Sequence, residues 1–295
     1  MEGYKDKFIA FVDILGFSDL VLESEESKEG APTIEYLLDL TTKLVPSNLP
    51  IVCPHAPSLS KSLDFRITQI SDCAVVSTEV SPSGIIKLLN HCFNVSIQLL
   101  MIGHCCRGFV TRGNIFHTDN QFIGSGYMEA VEAEKKVSIF QINSEDIGTP
   151  FIEIDPTVCT YIMEKQSNEC VKKTFRSITE SDGSNIAISP FLALKNSSVF
   201  RIDEDPAKCK EEIRISKEYR LKLMPPLEKM EDKLKLRAQL GKMEADKLEK
   251  ALAKIAHYKR KINEIVDSYD ELMKSIDQLS NVKLPKRTIA DIIGH

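Results

Sequence analysis

Residues 7–18 read KFIAFVDILGFS, an apolar run that delivers one carboxylate, Asp13, directly to a glycine-containing turn. Residues 64–78, DFRITQISDCAVVST, hold a second element of this kind, in which two short β-rich runs flank a turn bearing Ser71 and Asp72. Both stretches are hydrophobic enough to be central strands, and each exposes one acid at a strand end. A carboxylate closing a buried strand, beside a turn rich in free backbone N–H groups, suits a divalent cation that carries a triphosphate. The cation takes the carboxylate oxygens and the amides take the phosphates. Singly, each Asp also reads as a turn or N-cap residue. Two such carboxylates on neighbouring strands would hold a pair of metals.

Working outward, the pattern predicts a strand over 7–13, helical material over 17–25 and 33–45, a polar Pro/Ser loop over 46–61 and a hairpin over 63–79. A helix over 82–101 follows, with Ile85, Leu88, Leu89, Phe93, Ile97 and Leu100 at helical spacing, then a strand over 106–117. A short helix over 125–135 and a strand over 137–142 complete the core. The order β-α-β-β-α-β is the ferredoxin-like arrangement, an α+β fold with an antiparallel sheet and helices on one face. It sets the hairpin turn beside the end of the first strand, and so Asp72 beside Asp13.

Beyond this unit, 151–223 reads as an α/β extension, with strand-like FIEID and VFRID separated by ITESDGSN, expected as an exposed loop. Pro225 and Pro226 break the chain at the start of a charged helical segment over 224–295, interrupted by Gly241. From Leu248 the apolar positions alternate in steps of three and four through Leu252 and Ile255, with Tyr258 or Lys259 next, then Ile262, Ile265, Tyr269, Leu272, Ile276 and Leu279, a coiled-coil-like seam. Such a seam serves either a helical hairpin packed on its own domain or a contact with a partner.

Composition excludes several classes. The 295 residues, 42% hydrophobic and 27% charged, can bury one sizeable core and a smaller second unit. A formal charge of −5 offers no basic footprint for nucleic acid. The first apolar stretch is too short for a signal sequence, and no segment reaches membrane-spanning length, so the chain reads as soluble and cytoplasmic. Its eight cysteines show no CxxC spacing and read as free thiols, several of them within apolar runs. His91, His104 and His117 have no partner at ligand spacing and read as ordinary polar residues.

FVDILGFS resembles the first metal motif of the class III nucleotidyl cyclases, ISDCAVVS their second, and RGFVTRGNIFH followed by FIGSGYMEAVEAE their later strand and helix. The resemblance covers about residues 4–142, within an expected cyclase domain over 1–150, and is closest to the pyrimidine cyclases of the bacterial Pycsar anti-phage systems. It implies a class III cyclase core that converts UTP, or CTP, to the 3′,5′-cyclic monophosphate and diphosphate. Asp13, the carbonyl of Ile14 and Asp72 would hold two divalent ions, Mn2+ or Mg2+. Gly16, Phe17 and Ser18 would lie along the triphosphate, with Gly16 there because a side chain would block close backbone approach.

The same resemblance puts Thr68 and Gln121 where purine cyclases read the base with charged or thiol side chains. Both are neutral and can donate or accept, which suits the mixed edge of a pyrimidine. Met128 and Glu132 fall where purine enzymes carry a ribose-orienting Asn and a transition-state Arg. Arg107 and Arg112 are the candidate replacements, either reaching a phosphate or forming a structural ion pair. Tyr4, before the first strand, is a candidate to stack on the base. Since class III sites form between two cyclase domains and this chain carries one, the resemblance implies a head-to-tail homodimer with composite sites. It also implies a separate effector that senses the cyclic product. An adenylate or guanylate cyclase with an unusual pocket, and an inactive nucleotide-binding module, are the alternative readings.

Overall fold

The computed structural model describes residues 3–26, 30–45, 63–141, 148–165, 167–190, 206–241 and 243–281. Strand β1 (Lys5–Ile14) is its axis. Phe8, Ala10, Val12 and Ile14 join one apolar cluster, while the alternate residues Ile9 and Phe11 join another on the opposite face. A strand buried on both faces needs no polar alternation, which is why KFIAFV is nearly continuous in its hydrophobicity.

β1 pairs antiparallel with β3 (Cys73–Glu79) on one side and with β4 (Cys106–His117) on the other. β2 (Phe65–Ile70) pairs antiparallel with β3, giving the order β2-β3-β1-β4. Helices α1 (Phe17–Glu25) and α2 (Ile34–Thr42) connect β1 to β2, and α3 (Pro82–Met101) connects β3 to β4. This is the ferredoxin-like α+β core expected above. Ser81 starts α3 by accepting a hydrogen bond from the Gly84 N–H at 3.0 Å, with Pro82 in the first turn.

The helices do not all lie on one face. After the two-residue strand β5 (Phe122–Ile123), α4 (Ser125–Glu134) crosses the side opposite α3, with Ala130 packed on Ile9, Phe11 and Val75. Gly113 and Gly126 permit this: a Cβ on Gly126 would stand 2.5 Å from Ile9 Cδ1 and 3.0 Å from Gly113. Helix and strand backbones therefore touch.

The strand expected over 137–142 is absent from the described residues 137–141. Their backbone is satisfied by side chains instead. The Glu153 carboxylate accepts from the Ser138 and Ile139 N–H groups at 3.0 and 3.3 Å, and Thr149 Oγ1 donates to the Ile139 carbonyl at 2.9 Å. The place beside β4 goes to β6 (Ile152–Ile154), within FIEID, which pairs parallel with Gly108–Val110. The sheet continues through β8 (Ile186–Ile188) to β7 (Thr179–Ser181), with α5 (Pro156–Thr160), a π-turn (Tyr161–Lys165) and α6 (Glu169–Ile178) between β6 and β7. Thus ITESDGSN is a hairpin rather than a loop. Asp182 accepts from the Ser184 and Asn185 N–H groups at 2.9 and 2.8 Å, and Gly183 takes φ 99°. The expected loop over 46–61 and VFRID lie outside the described residues.

The last described elements are α7 (Pro206–Leu221), α8 (Met224–Gln239) and α9 (Ala245–Asn281). Pro225 and Pro226 sit in the first turn of α8, where their missing N–H groups cost nothing. The seam of α9 faces inward: Ile255, Tyr258, Ile262, Ile265, Tyr269 and Ile276 are buried in one cluster with Leu100, Phe109, Phe151 and Leu227. Lys217 and Lys259 pair with Asp270 and Glu231, both at 2.6 Å. Of the two uses open to the seam, the chain takes the packing on its own domain. Cys73, Cys92, Cys105, Cys106, Cys159 and Cys209 are free, but Cys170 is disulfide-bonded, a departure from free thiols throughout. No helix among the described residues is long and apolar enough to cross a membrane.

Candidate active site

Asp13 is the last but one residue of β1, opposite Cys73 on β3 and Arg107 on β4. Asp72 precedes Cys73 in the hairpin turn, and its carbonyl accepts from the Ile14 N–H at 3.0 Å. The two acids therefore stand side by side, as the predicted topology required. Ser71 takes φ 53°, uncommon for a residue with a side chain, and Gln69 Nε2 donates to its carbonyl at 3.2 Å. Burial, then the Asp72 and Glu134 carboxylates, push the Asp13 carboxyl up to about 7; Arg107 and the Ile14 N–H act in the opposite direction.

Glu134, buried at the end of α4, escaped the sequence reading. It forms an ion pair with Arg107 Nε, and Arg107 also approaches the Gly148 carbonyl at 3.5 Å. A signal for it was present in Gly126, Ala130 and Glu134, which are spaced four apart and form the buried stripe of α4.

Downstream of Asp13 the chain turns at Gly16, with φ 76° and ψ 13°, into α1. The backbone itself gives a reason for this glycine. A Cβ there would meet nothing within 4 Å, so the left-handed backbone, not crowding within the chain, calls for glycine. Phe17 is buried in the core, leaving its backbone rather than its ring at the helix start, while Ser18 is exposed beside it. The first amides of α1 form an end with the electrostatic character that anions favour.

Thr68 lies opposite Val75, on the same face as Asp13 and two strands over. Strand spacings put it roughly 12 Å from Asp13. Its Oγ1 is 3.0 Å from His117 Nε2, and His117 Nδ1 is 2.8 Å from Ser77 Oγ, so His117 is a member of this face rather than an incidental polar residue. Gln121, in the exposed turn after β4, precedes Phe122, whose backbone pairs with His117. Thr68 and the Phe122 ring thus flank the imidazole, and Gln121 stands one residue before Phe122.

Other candidates stand apart within one chain. Arg112 is opposite Phe8, on the α3 face, where Nη2 is 2.6 Å from Asp6 Oδ2 and the guanidinium lies 5.6 Å from the Tyr161 ring centre. Tyr4 is 61% exposed at the start of β1, roughly 30 Å along an extended strand from Asp13. Met128, 66% exposed, and Glu132, paired with Lys135 at 2.8 Å, lie on the outward face of α4.

Among the described residues no group of three or more His, Cys, Asp and Glu side chains is arranged to hold a metal ion. Asp13 and Asp72 nevertheless form a pair of hard oxygen donors, with charge crowding that a cation would relieve. Such a donor set fits Mg2+ or Mn2+, which complete their coordination with water and phosphate oxygens.

No family model and no curated protein matches the chain. Among solved structures it is similar to the catalytic core of a rhodopsin-guanylyl cyclase with converted specificity, in complex with ATPαS. That alignment has 10% identity and a TM-score of 0.35 over 64% of this chain and 97% of the other. The guanylyl cyclase Cya2 aligns with 12% identity and a TM-score of 0.34, over 64% of this chain and 93% of its own. At these scores the alignments carry no argument about the chemistry of this chain.

Proposed function

We propose that the chain is a nucleotidyl cyclase that converts UTP to 3′,5′-cyclic UMP and diphosphate. The observation that carries this reading is the adjacency of Asp13 and Asp72 at the ends of paired strands, next to the left-handed Gly16 that opens α1. Asp13, the Ile14 carbonyl and Asp72 would hold two divalent ions. Bound there, such ions supply Lewis-acid polarisation of the α-phosphate and a lowered pKa for the ribose 3′-hydroxyl. The amides from Gly16 to Ser18 bind the phosphates and favour charge accumulating on the leaving diphosphate. The ribose 3′-oxygen attacks the α-phosphorus, the bond to the bridging oxygen breaks, and the hydroxyl proton passes to solvent.

Thr68 and Gln121 hydrogen-bond the pyrimidine edge. Arg107 keeps the carboxylate cluster from excess negative charge, while Arg112 and Tyr4 act from a second copy of the chain in a homodimer with composite sites. A role in second-messenger signalling against phage, with a separate effector sensing the product, rests on the motif resemblance alone. CTP is the alternative substrate, and a purine triphosphate the next.

The test is incubation of the purified chain with each of the four ribonucleoside triphosphates and Mn2+, with products identified by mass. Cyclic UMP as the main product, lost in Asp13→Ala and Asp72→Ala, supports the reading. Turnover unchanged in either variant removes the two-metal assignment. A second reading, a module that binds nucleotide without turning it over, is favoured by Met128 and Glu132 at positions where the resemblance calls for Asn and Arg. Nucleotide binding with no product from any of the four would establish it.

A further inference from the structure

At its end β4 leaves the main ladder to pair with β5 and carries His117 across the face of the sheet. The ring is buried, with Ser77 Oγ 2.8 Å from Nδ1, Thr68 Oγ1 3.0 Å from Nε2, and the Phe122 ring edge-on at 5.6 Å. Lys7, Arg66, Asp64 and Asp119 are the charged groups around it. Burial first, then Lys7 and Arg66, push the imidazole down to about 4, so the ring is neutral at physiological pH.

A neutral imidazole carries one N–H and one lone pair. Of the two hydroxyls that flank His117, one must therefore receive a hydrogen bond and the other must donate one. If Nδ1–H donates to Ser77, Nε2 accepts the Thr68 proton, and Thr68 turns only lone pairs outward. If Nε2–H donates to Thr68, the Thr68 proton is left for an acceptor outside the network. Ser77 is fully buried and Thr68 half-buried, so the choice is set inside the sheet and read at its surface.

We propose that His117 is a positioning residue which, through the Ser77–His117–Thr68 chain, sets the donor or acceptor character that Thr68 shows to the nucleotide base. This rests on the cyclase reading. Uracil and cytosine reverse polarity at two ring positions: O4 against the N4 amine, and N3–H against a bare N3. A hydroxyl with fixed polarity satisfies one base and leaves a polar pair unmatched with the other. Specificity then resides partly in Ser77, a residue that never meets the substrate.

The test uses the whole chain with 15N-labelled histidine and measures the His117 ring nitrogens alone, with UTP and with CTP. It is paired with kcat and KM for both nucleotides in wild type, Ser77→Ala, His117→Gln and Thr68→Val. A single neutral tautomer that responds differently to the two nucleotides is expected. Ser77→Ala should change the UTP to CTP ratio of kcat/KM by about fivefold, mainly through KM, and this effect should vanish in a Thr68→Val background. If His117→Gln does not fold, Ser77→Cys takes its place. Ratios within about twofold of wild type in folded variants, with ring nitrogens indifferent to bound nucleotide, overturn the inference and leave the cyclase reading standing. If neither nucleotide binds or turns over, both fall together.

Discussion

Asp13 and Arg107 face each other across the β1–β4 ladder, yet the ion pair that Arg107 makes is with Glu134 at the end of α4. The strand-end carboxylate is therefore neighboured by a cation that is already engaged. Its carboxyl is pushed up to about 7, a charge state poised for a cation from outside the chain.

Asp13 should make the metal-free fold weaken with rising pH. Its folded value lies above the ordinary 3.8, so the folded chain holds the proton more tightly than the unfolded chain does. The resulting stabilisation is complete below the unfolded value and is lost as pH rises through about 7. Asp13→Asn should match wild type near pH 4 and exceed it by about 1–2 kcal/mol near pH 8, after allowance for solvent screening. Thermal denaturation in chelator across that range reads this out. A variant less stable than wild type near pH 8 would refute it.

Glu134→Gln should release Arg107 toward Asp13. A cation competing for the same carboxylate weakens metal binding, so the Mn2+ concentration that half-saturates the thermal stabilisation should rise by about three- to tenfold. The fold should also lose about 1–3 kcal/mol from a broken, largely buried ion pair. Titration of melting temperature against Mn2+ separates the two effects.

Composite sites predict complementation. On the proposed homodimer, a mixture of Asp13→Ala and Arg112→Ala chains should form heterodimers with one intact site, and activity should reappear although each variant alone should be inactive. Heterodimers demonstrated by native mass spectrometry but without activity would return Arg112 to its local role, the bidentate pair with Asp6.

The inward seam of α9 makes a contrasting prediction. Ile262 is fully buried within the chain, so Ile262→Ala should cost about 2–5 kcal/mol of stability and leave the oligomeric state unchanged. Sedimentation and urea denaturation of the same sample give both values. A change in subunit number would show that the seam serves a partner.

The parts of this fold legible in the sequence are those where one physical signal dominates. The helix at 82–101 and the strand at 106–117 carry unbroken periodicity and match the observed bounds. The adjacency of Asp13 and Asp72 follows from topology alone. Residues 137–141 misled because Val137 and Ile139 are as apolar as strand residues. They are buried against α9, however, and their backbone bonds go to Glu153 and Thr149, contacts that no local pattern encodes. His117 was illegible for a related reason: Ser77 and Thr68 lie 40 and 49 residues away, and only the curl of β4 over the sheet joins them. The seam of α9 showed which face was apolar but not what covered it.

Tyr258, on that seam, donates its hydroxyl proton to the Pro150 carbonyl and shares a cluster with Phe109 of β4 and Leu100 of α3. This makes the C-terminal helices the outer wall of the sheet rather than an appendage. Chains trimmed near residue 150 to isolate a minimal catalytic unit would bare Phe109 and Leu100 as a sticky flank, and they should be recovered as aggregates. Any biochemist seeking the smallest active fragment has to begin by keeping the last long helix.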